Sequence, residues 1–144
     1  MNEIDLNLKT NYALNRGSYL HQKLESTKYD KQIIALVEEE YDLKLTNAMI
    51  KHELVLYEDG EIIKKHIIDM LVIAKENVFI IDFKTDTDIN LRMEKYKLQL
   101  NRYYKLLKDH FQGENKVFNL CLINIKELRE DLAFHLIRVD YDDK

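Results

Sequence analysis

Residues 66 to 84 read His66-Ile67-Ile68-Asp69-Met70-Leu71-Val72-Ile73-Ala74-Lys75-Glu76-Asn77-Val78-Phe79-Ile80-Ile81-Asp82-Phe83-Lys84. Two runs rich in Ile and Val, Ile67 to Ala74 and Val78 to Phe83, are separated only by the polar Lys75-Glu76-Asn77. Runs of this kind around so short a break predict a tight antiparallel hairpin of two buried strands. Each strand nevertheless carries ionisable residues, Asp69 in the first and Asp82 and Lys84 in the second, and a buried charge is costly unless something pairs with it. Centring the turn between Lys75 and Glu76 sets Asp69 directly across from Asp82, with Cβ atoms about 4.5–5.5 Å apart. Lys84, two residues beyond Asp82, shares that face. Two carboxylates this close repel, and a hard divalent cation between them lets both stay ionised. The hairpin therefore predicts half of a metal site with a lysine beside it.

Before this hairpin, Met49 to Tyr57 alternates as a strand, and Asp59-Gly60 is a strong signal for a two-residue turn. Centred there, the turn sets Ile50 and His52 near Asp69 and puts Glu53 opposite His66 on the other face. His52 is thus a further candidate for the site, and Glu53 is one only if a bulge shifts the register. After the hairpin, the polar loop from Thr85 to Asn90 leads into a long amphipathic helix predicted from Leu91 to Phe111, with Met93, Tyr96, Leu100, Tyr103, Leu107 and Phe111 as its apolar stripe. Tyr96, Gln99 and Tyr103 lie on neighbouring positions at the border of that stripe, where a packed aromatic seam is the plainer reading. Between Leu91 and Lys108 this helix carries Arg92, Lys95, Lys97, Arg102, Lys105 and Lys108 against the single acid Glu94, either a solvated face or a positive strip on an acidic body.

Nearer the N-terminus, a helix is predicted after Asp30 as N-cap, with Ile33, Ile34, Leu36 and Val37 as its apolar face. Ahead of it, Arg16 to Glu25 reads as a short helix with His21 and Glu25 four apart, and a lone histidine in such a place is most often structural. Val117 to Ile125 suits a buried strand and Ala133 to Val139 an edge strand. Helices, a three-strand meander, a long helix and two strands make an α/β or α+β domain with a mixed sheet.

With 144 residues, 46% hydrophobic and 33% charged, the chain is expected to be one soluble globular domain with its core over about residues 15–140. No apolar run approaches the length of a membrane span, and the acidic start lacks the apolar core of a signal peptide, so a cytoplasmic protein with no membrane partner is expected. The single cysteine, Cys121, leaves no internal disulfide and no cysteine-held zinc or iron–sulfur centre, so any metal must be held by oxygen and imidazole. A net charge of -4 does not by itself suggest a nucleic-acid partner.

Asp69 followed by Asp82-Phe83-Lys84-Thr85 resembles the core of the PD-(D/E)xK nucleases, and the detail is most similar to the RecB/AddA-type branch. That branch also has a Gly-x-x-x-His helix, matched by Gly17-Ser18-Tyr19-Leu20-His21, and a Tyr-x-x-Gln-x-x-x-Tyr helix, matched by Tyr96, Gln99 and Tyr103. Each element is weakly specific alone, but the set occurs in the family's order. The resemblance implies a restriction-endonuclease-like core, a central mixed sheet flanked by helices. It implies that His21, Asp69 and Asp82, joined by the backbone carbonyl of Phe83, ligate Mg²⁺ or Mn²⁺ and that Lys84 is the catalytic lysine. It also implies that Gln99 and Tyr103 support the site or touch DNA, with Thr85 on a phosphate; Tyr96 and Arg102 join this supporting group. Glu53, Glu25 and His52 are kept as further candidates.

The chain departs from the family pattern at His66, where relatives carry glycine three residues before the first aspartate. The cysteines of the cluster-bearing relatives are missing, so no iron–sulfur cluster is expected. Three glycines cannot form a Gly-x-x-x-x-Gly-Lys phosphate loop, so no ATP site is expected. A helicase, in the same polypeptide or as a separate subunit, is an expected partner besides DNA. The resulting expectation is a metal-dependent DNA nuclease, an exonuclease acting in DNA repair or recombination. The alternatives are a catalytically silent nuclease-like module that grips DNA or protein and a structure-specific or restriction-type endonuclease. A purely structural reading makes Asp69 and Lys84 a buried ion pair.

Overall fold

The computed structural model describes residues 27–129 and 131–142. The Gly17 to His21 motif and Glu25 lie outside the described residues. Helix α1 spans Asp30–Tyr41 and buries Ile33 and Val37, one turn apart, against the sheet. Asp30 is the first helical residue and not the cap, because its carboxylate is taken by His52 Nε2 at 2.9 Å. The helix ends at Asp42, whose left-handed φ of 52° lets its N–H bond the Glu38 carbonyl.

Five strands follow, β1 Met49–Glu58, β2 Lys64–Ile73, β3 Asn77–Lys84, β4 Val117–Leu128 and β5 Asp131–Val139. They form one sheet in chain order. All neighbours are antiparallel except β3 and β4, which are parallel. A parallel pair needs a crossover, and helix α2, Met93–Leu107, supplies it with a 3₁₀ turn at each end, Ile89–Arg92 and Lys108–Phe111. This is an α+β fold, a mixed five-stranded sheet with a helix on each face.

Alternation along the strands divides the core. Met70, Val72, Phe79, Ile81, Phe83, Cys121 and Ile123 pack with α1, and Leu71, Val78, Ile80, Leu120 and Leu122 pack with Tyr96, Leu100 and Leu107 of α2. Asp82 and Lys84 fall on the α2 face because they share the parity of Val78 and Ile80. Among the described residues, no helix is long and apolar enough to cross a membrane.

The β2–β3 turn has the expected register, with Met70 opposite Ile81 and Ile73 opposite Val78. The β1–β2 turn does not. Gly60 does not take the positive φ that a two-residue Asp-Gly turn requires. Five residues, 59–63, connect the strands, and the register moves by three, so that His52 faces Met70 and Leu56 faces His66. Glu53 therefore stands at the level of Asp69 and not of His66, in a break in the ladder where its φ is 50°. Both strands change face at this point. Ile50 packs with the α1 cluster but Leu54 and Leu56 with the α2 cluster, while on β2 Ile68 belongs to the α2 side and Met70 to the α1 side.

Candidate active site

The C-terminal end of β3 brings the chemistry together. Asp82, only 3% exposed, sits under α2, and Asp69 comes alongside from the kink in β2. Asp69 Oδ2 accepts the backbone N–H of Phe83 at 2.9 Å, which fixes its carboxylate beside Asp82. Burial, and then the Asp82 charge next to it, push the Asp69 carboxyl up to about 8, against the lowering effect of the Phe83 N–H and of Lys84.

Lys84 Nζ lies 2.7 Å from Asp82 Oδ2, its neighbour on the same strand face, and its charge also acts on Asp69. The same amine donates to Gln99 Oε1 at 3.0 Å and stands 4.2 Å from the centre of the Tyr96 ring. Gln99 spends its amide on Tyr103, Nε2 to OH, at 2.8 Å. Burial and the nearby Asp82 raise the Tyr103 phenol to about 12, so it stays protonated. The Tyr96 hydroxyl donates to both carboxylate oxygens of Asp86, at 2.9 and 2.8 Å, and its ionisation is raised first by burial and then by that bond.

These groups border a cleft of about 260 Å³ lined by Ile67, Asp69, Asp82, Phe83, Lys84, Thr85, Asp86, Gln99 and Tyr103. The structure thus brings together Asp69, Asp82, Phe83, Lys84, Thr85, Gln99 and Tyr103, with Tyr96 supporting Lys84. Three other candidates lie elsewhere. His52 faces α1 and bonds Asp30, a consequence of the shifted register. Glu53 is level with Asp69 but exposed and outside the cleft lining. Arg102 pairs with Glu58 at 2.9 Å, and Glu58 also binds His66. His21 and Glu25 lie outside the described residues.

Asp86 and Asn124 were not singled out by the sequence, yet both meet the site. Asn124, 7% exposed, donates Nδ2 to the Asp86 carbonyl at 3.1 Å and is paired with Lys84 across β3 and β4. An asparagine inside the apolar run Val117 to Ile125 was the available signal, since a buried amide is costly unless bonded.

The donor set fits a hard cation. Two carboxylates face each other at the end of a rigid strand, and Asp82 Oδ2, buried and touching Lys84 Nζ, has no donor aligned with it as a hydrogen bond. Among the described residues, no group of three or more His, Cys, Asp or Glu side chains gathers around a common point. The described chain therefore offers Asp69 and Asp82, and further positions on the ion fall to backbone carbonyl, water, substrate or residues outside the described set.

No family model matches the sequence, and no curated protein matches it significantly. Two solved structures are similar at low TM-score. One is the crystal structure of SSO0001, with 18% identity and a TM-score of 0.45 over 87% of this chain and 51% of that one. The other, from Eubacterium rectale and named "Putative exonuclease", has 17% identity and a TM-score of 0.43 over 78% of this chain and 45% of that one. The chain spans about half the length of each of these proteins.

Proposed function

We propose that this chain is a nuclease, a Mg²⁺- or Mn²⁺-dependent hydrolase of DNA phosphodiester bonds, exonucleolytic, of the RecB/AddA type and serving DNA repair or recombination. The observation that carries the reading is the facing pair Asp69 and Asp82 in one cleft wall with Lys84 Nζ held 2.7 Å from Asp82. Asp69 and Asp82, with the Phe83 carbonyl, would hold the ion. When bound, it supplies Lewis-acid stabilisation of the phosphate charge and a more acidic water.

The chain's own groups do the rest. Lys84 directs a positive charge into the cleft, and with Asp82 turned to an ion the N–H it gives Asp82 would pass to a phosphate oxygen or the attacking water. Gln99, anchored on Tyr103, aims that amine from α2. Thr85, exposed at the cleft rim, offers a hydroxyl to the phosphate. The bases of α2 outside the Arg102–Glu58 pair attract the phosphate backbone without reading sequence.

The test is cleavage of end-labelled linear and closed-circular DNA with Mn²⁺, Mg²⁺ or EDTA, comparing wild type with Asp82→Asn and Lys84→Ala checked for folding by circular dichroism. Metal-dependent degradation that falls by about 10²–10⁴-fold in each folded variant is expected. A preference for linear DNA identifies an exonuclease, and equal cutting of circles an endonuclease. Absence of cutting with every metal, with DNA binding retained, refutes the catalytic reading in favour of a silent binding module.

A further inference from the structure

The Lys84 ammonium is held on three sides, and the third side leads away from the reacting groups. Asp82 Oδ2 and Gln99 Oε1 take two directions, at 2.7 and 3.0 Å. The Tyr96 ring takes the third at 4.2 Å, well within cation–π range. The Tyr96 ring packs with Leu100 in the α2-side core, and its far end is fastened by the double contact of its hydroxyl with Asp86, with Arg92 also hydrogen-bonded to the phenol. Asp86 is in turn fixed through its backbone carbonyl by Asn124, the residue that pairs with Lys84 on β4. The contacts close a ring, from Lys84 to Tyr96, to Asp86, to Asn124 and back across the strand pair to Lys84.

We propose that Asp86 and Asn124 are positioning residues for Lys84, acting through the Tyr96 ring. Asp86 lines the cleft, yet both its carboxylate oxygens are turned to the Tyr96 hydroxyl, so its role is to hold that ring and not to meet substrate. Asn124 places a buried amide in an apolar strand and leaves its own Oδ1 without a donor, a cost that anchoring the segment after Lys84 offsets.

The proposal rests on the nuclease reading for its kinetic test alone, and a second measurement is independent of it. Protons above an aromatic face resonate upfield, so the Lys84 ε-methylene signals, assigned with Lys84→Arg, report the ring's position in metal-free protein. We expect these signals upfield of those of surface lysines in wild type, moved part of the way back toward the surface-lysine position in Asp86→Ala, and largely restored in Asp86→Asn, which keeps an oxygen for the phenol. Tyr96→Phe, which retains the ring but not its fastening, is expected to fall between. In cleavage assays, Asp86→Ala should lower kcat by about 10- to 100-fold at unchanged KM, with Asp86→Asn recovering most of it. Lys84 signals that are the same in wild type, Asp86→Ala and Tyr96→Phe overturn the proposal whatever the activity does. If Asp86→Ala does not fold, the Asp86→Asn and Tyr96→Phe spectra decide. If wild type cuts no DNA, the nuclease reading falls, and the spectra still decide the positioning role.

Discussion

At the residue scale, the site is set by what burial does to one carboxylate. Asp69 is raised from the ordinary range to about 8 by desolvation and by Asp82 beside it, so in the metal-free protein it takes up a proton on folding. Its contribution is therefore most favourable below the unfolded carboxyl value near 3.8 and is lost as pH rises toward 8. Asp69→Asn keeps an oxygen for the Phe83 N–H but has no charge to ionise. The metal-free variant should melt above wild type at about pH 8.5, by on the order of 5 °C, with the gap closing as pH is lowered toward 4.5. A gap that stays constant with pH, or that favours wild type at high pH, contradicts the assignment. Asp69, Asp82 and Lys84 were legible in the sequence because an ionisable residue contrasts with the Ile and Val around it. Asp86 was not, because it sits in the polar run after Lys84, where one more acid gives no contrast and only the fold reveals its bond to Tyr96.

At the element scale, the two hairpins show where local signals suffice and where they do not. The β2–β3 register could be read because both apolar runs stop at a single short break. The Asp59-Gly60 signal misplaced the β1–β2 turn because the connection is set by the whole strand pair, which leaves Gly60 out of the left-handed region and puts Glu53 into it. That positive φ turns both strands over and brings Asp69 to the α2 face, so the site depends on a conformation that few side chains accept. Glu53→Gly and Glu53→Val both remove the side chain's contacts and differ mainly in tolerance of φ near 50°. In urea unfolding, Glu53→Gly should lie within about 0.5 kcal/mol of wild type, whereas Glu53→Val should lose about 1–3 kcal/mol. Equal losses in the two variants would falsify the claim that backbone strain is stored at the kink.

At the scale of the whole molecule, the fold class was readable because the order of elements fixed a mixed sheet, while the helix that carries His21 by resemblance falls outside the described residues. The two-sided core explains why Asp69 and Asp82 cannot simply move apart. Phe79, Ile81, Leu100 and Leu120, at most 1% exposed, clamp β3 between the helices, and a close-packed interior yields little to a local repulsion. The Lys84 ammonium relieves part of the repulsion, and the rest falls to a proton or to a bound cation, which would compete for the same oxygens. If the metal reading is right, Mn²⁺ or Mg²⁺ stabilises the folded chain by about 2.7 kcal/mol at a hundred times its Kd, on the order of 10 °C in melting temperature for a domain of this size. The gain should be larger at pH 8 than at pH 6, because at the lower pH the ion must first displace the proton on Asp69. Asp82→Asn should abolish most of it, and calorimetry in buffers of different ionisation enthalpy should register proton release at pH 6 to 7. A melting curve that neither ion moves at millimolar concentration, at either pH, removes the metal from the site and leaves the carboxylate pair to Lys84 and the proton.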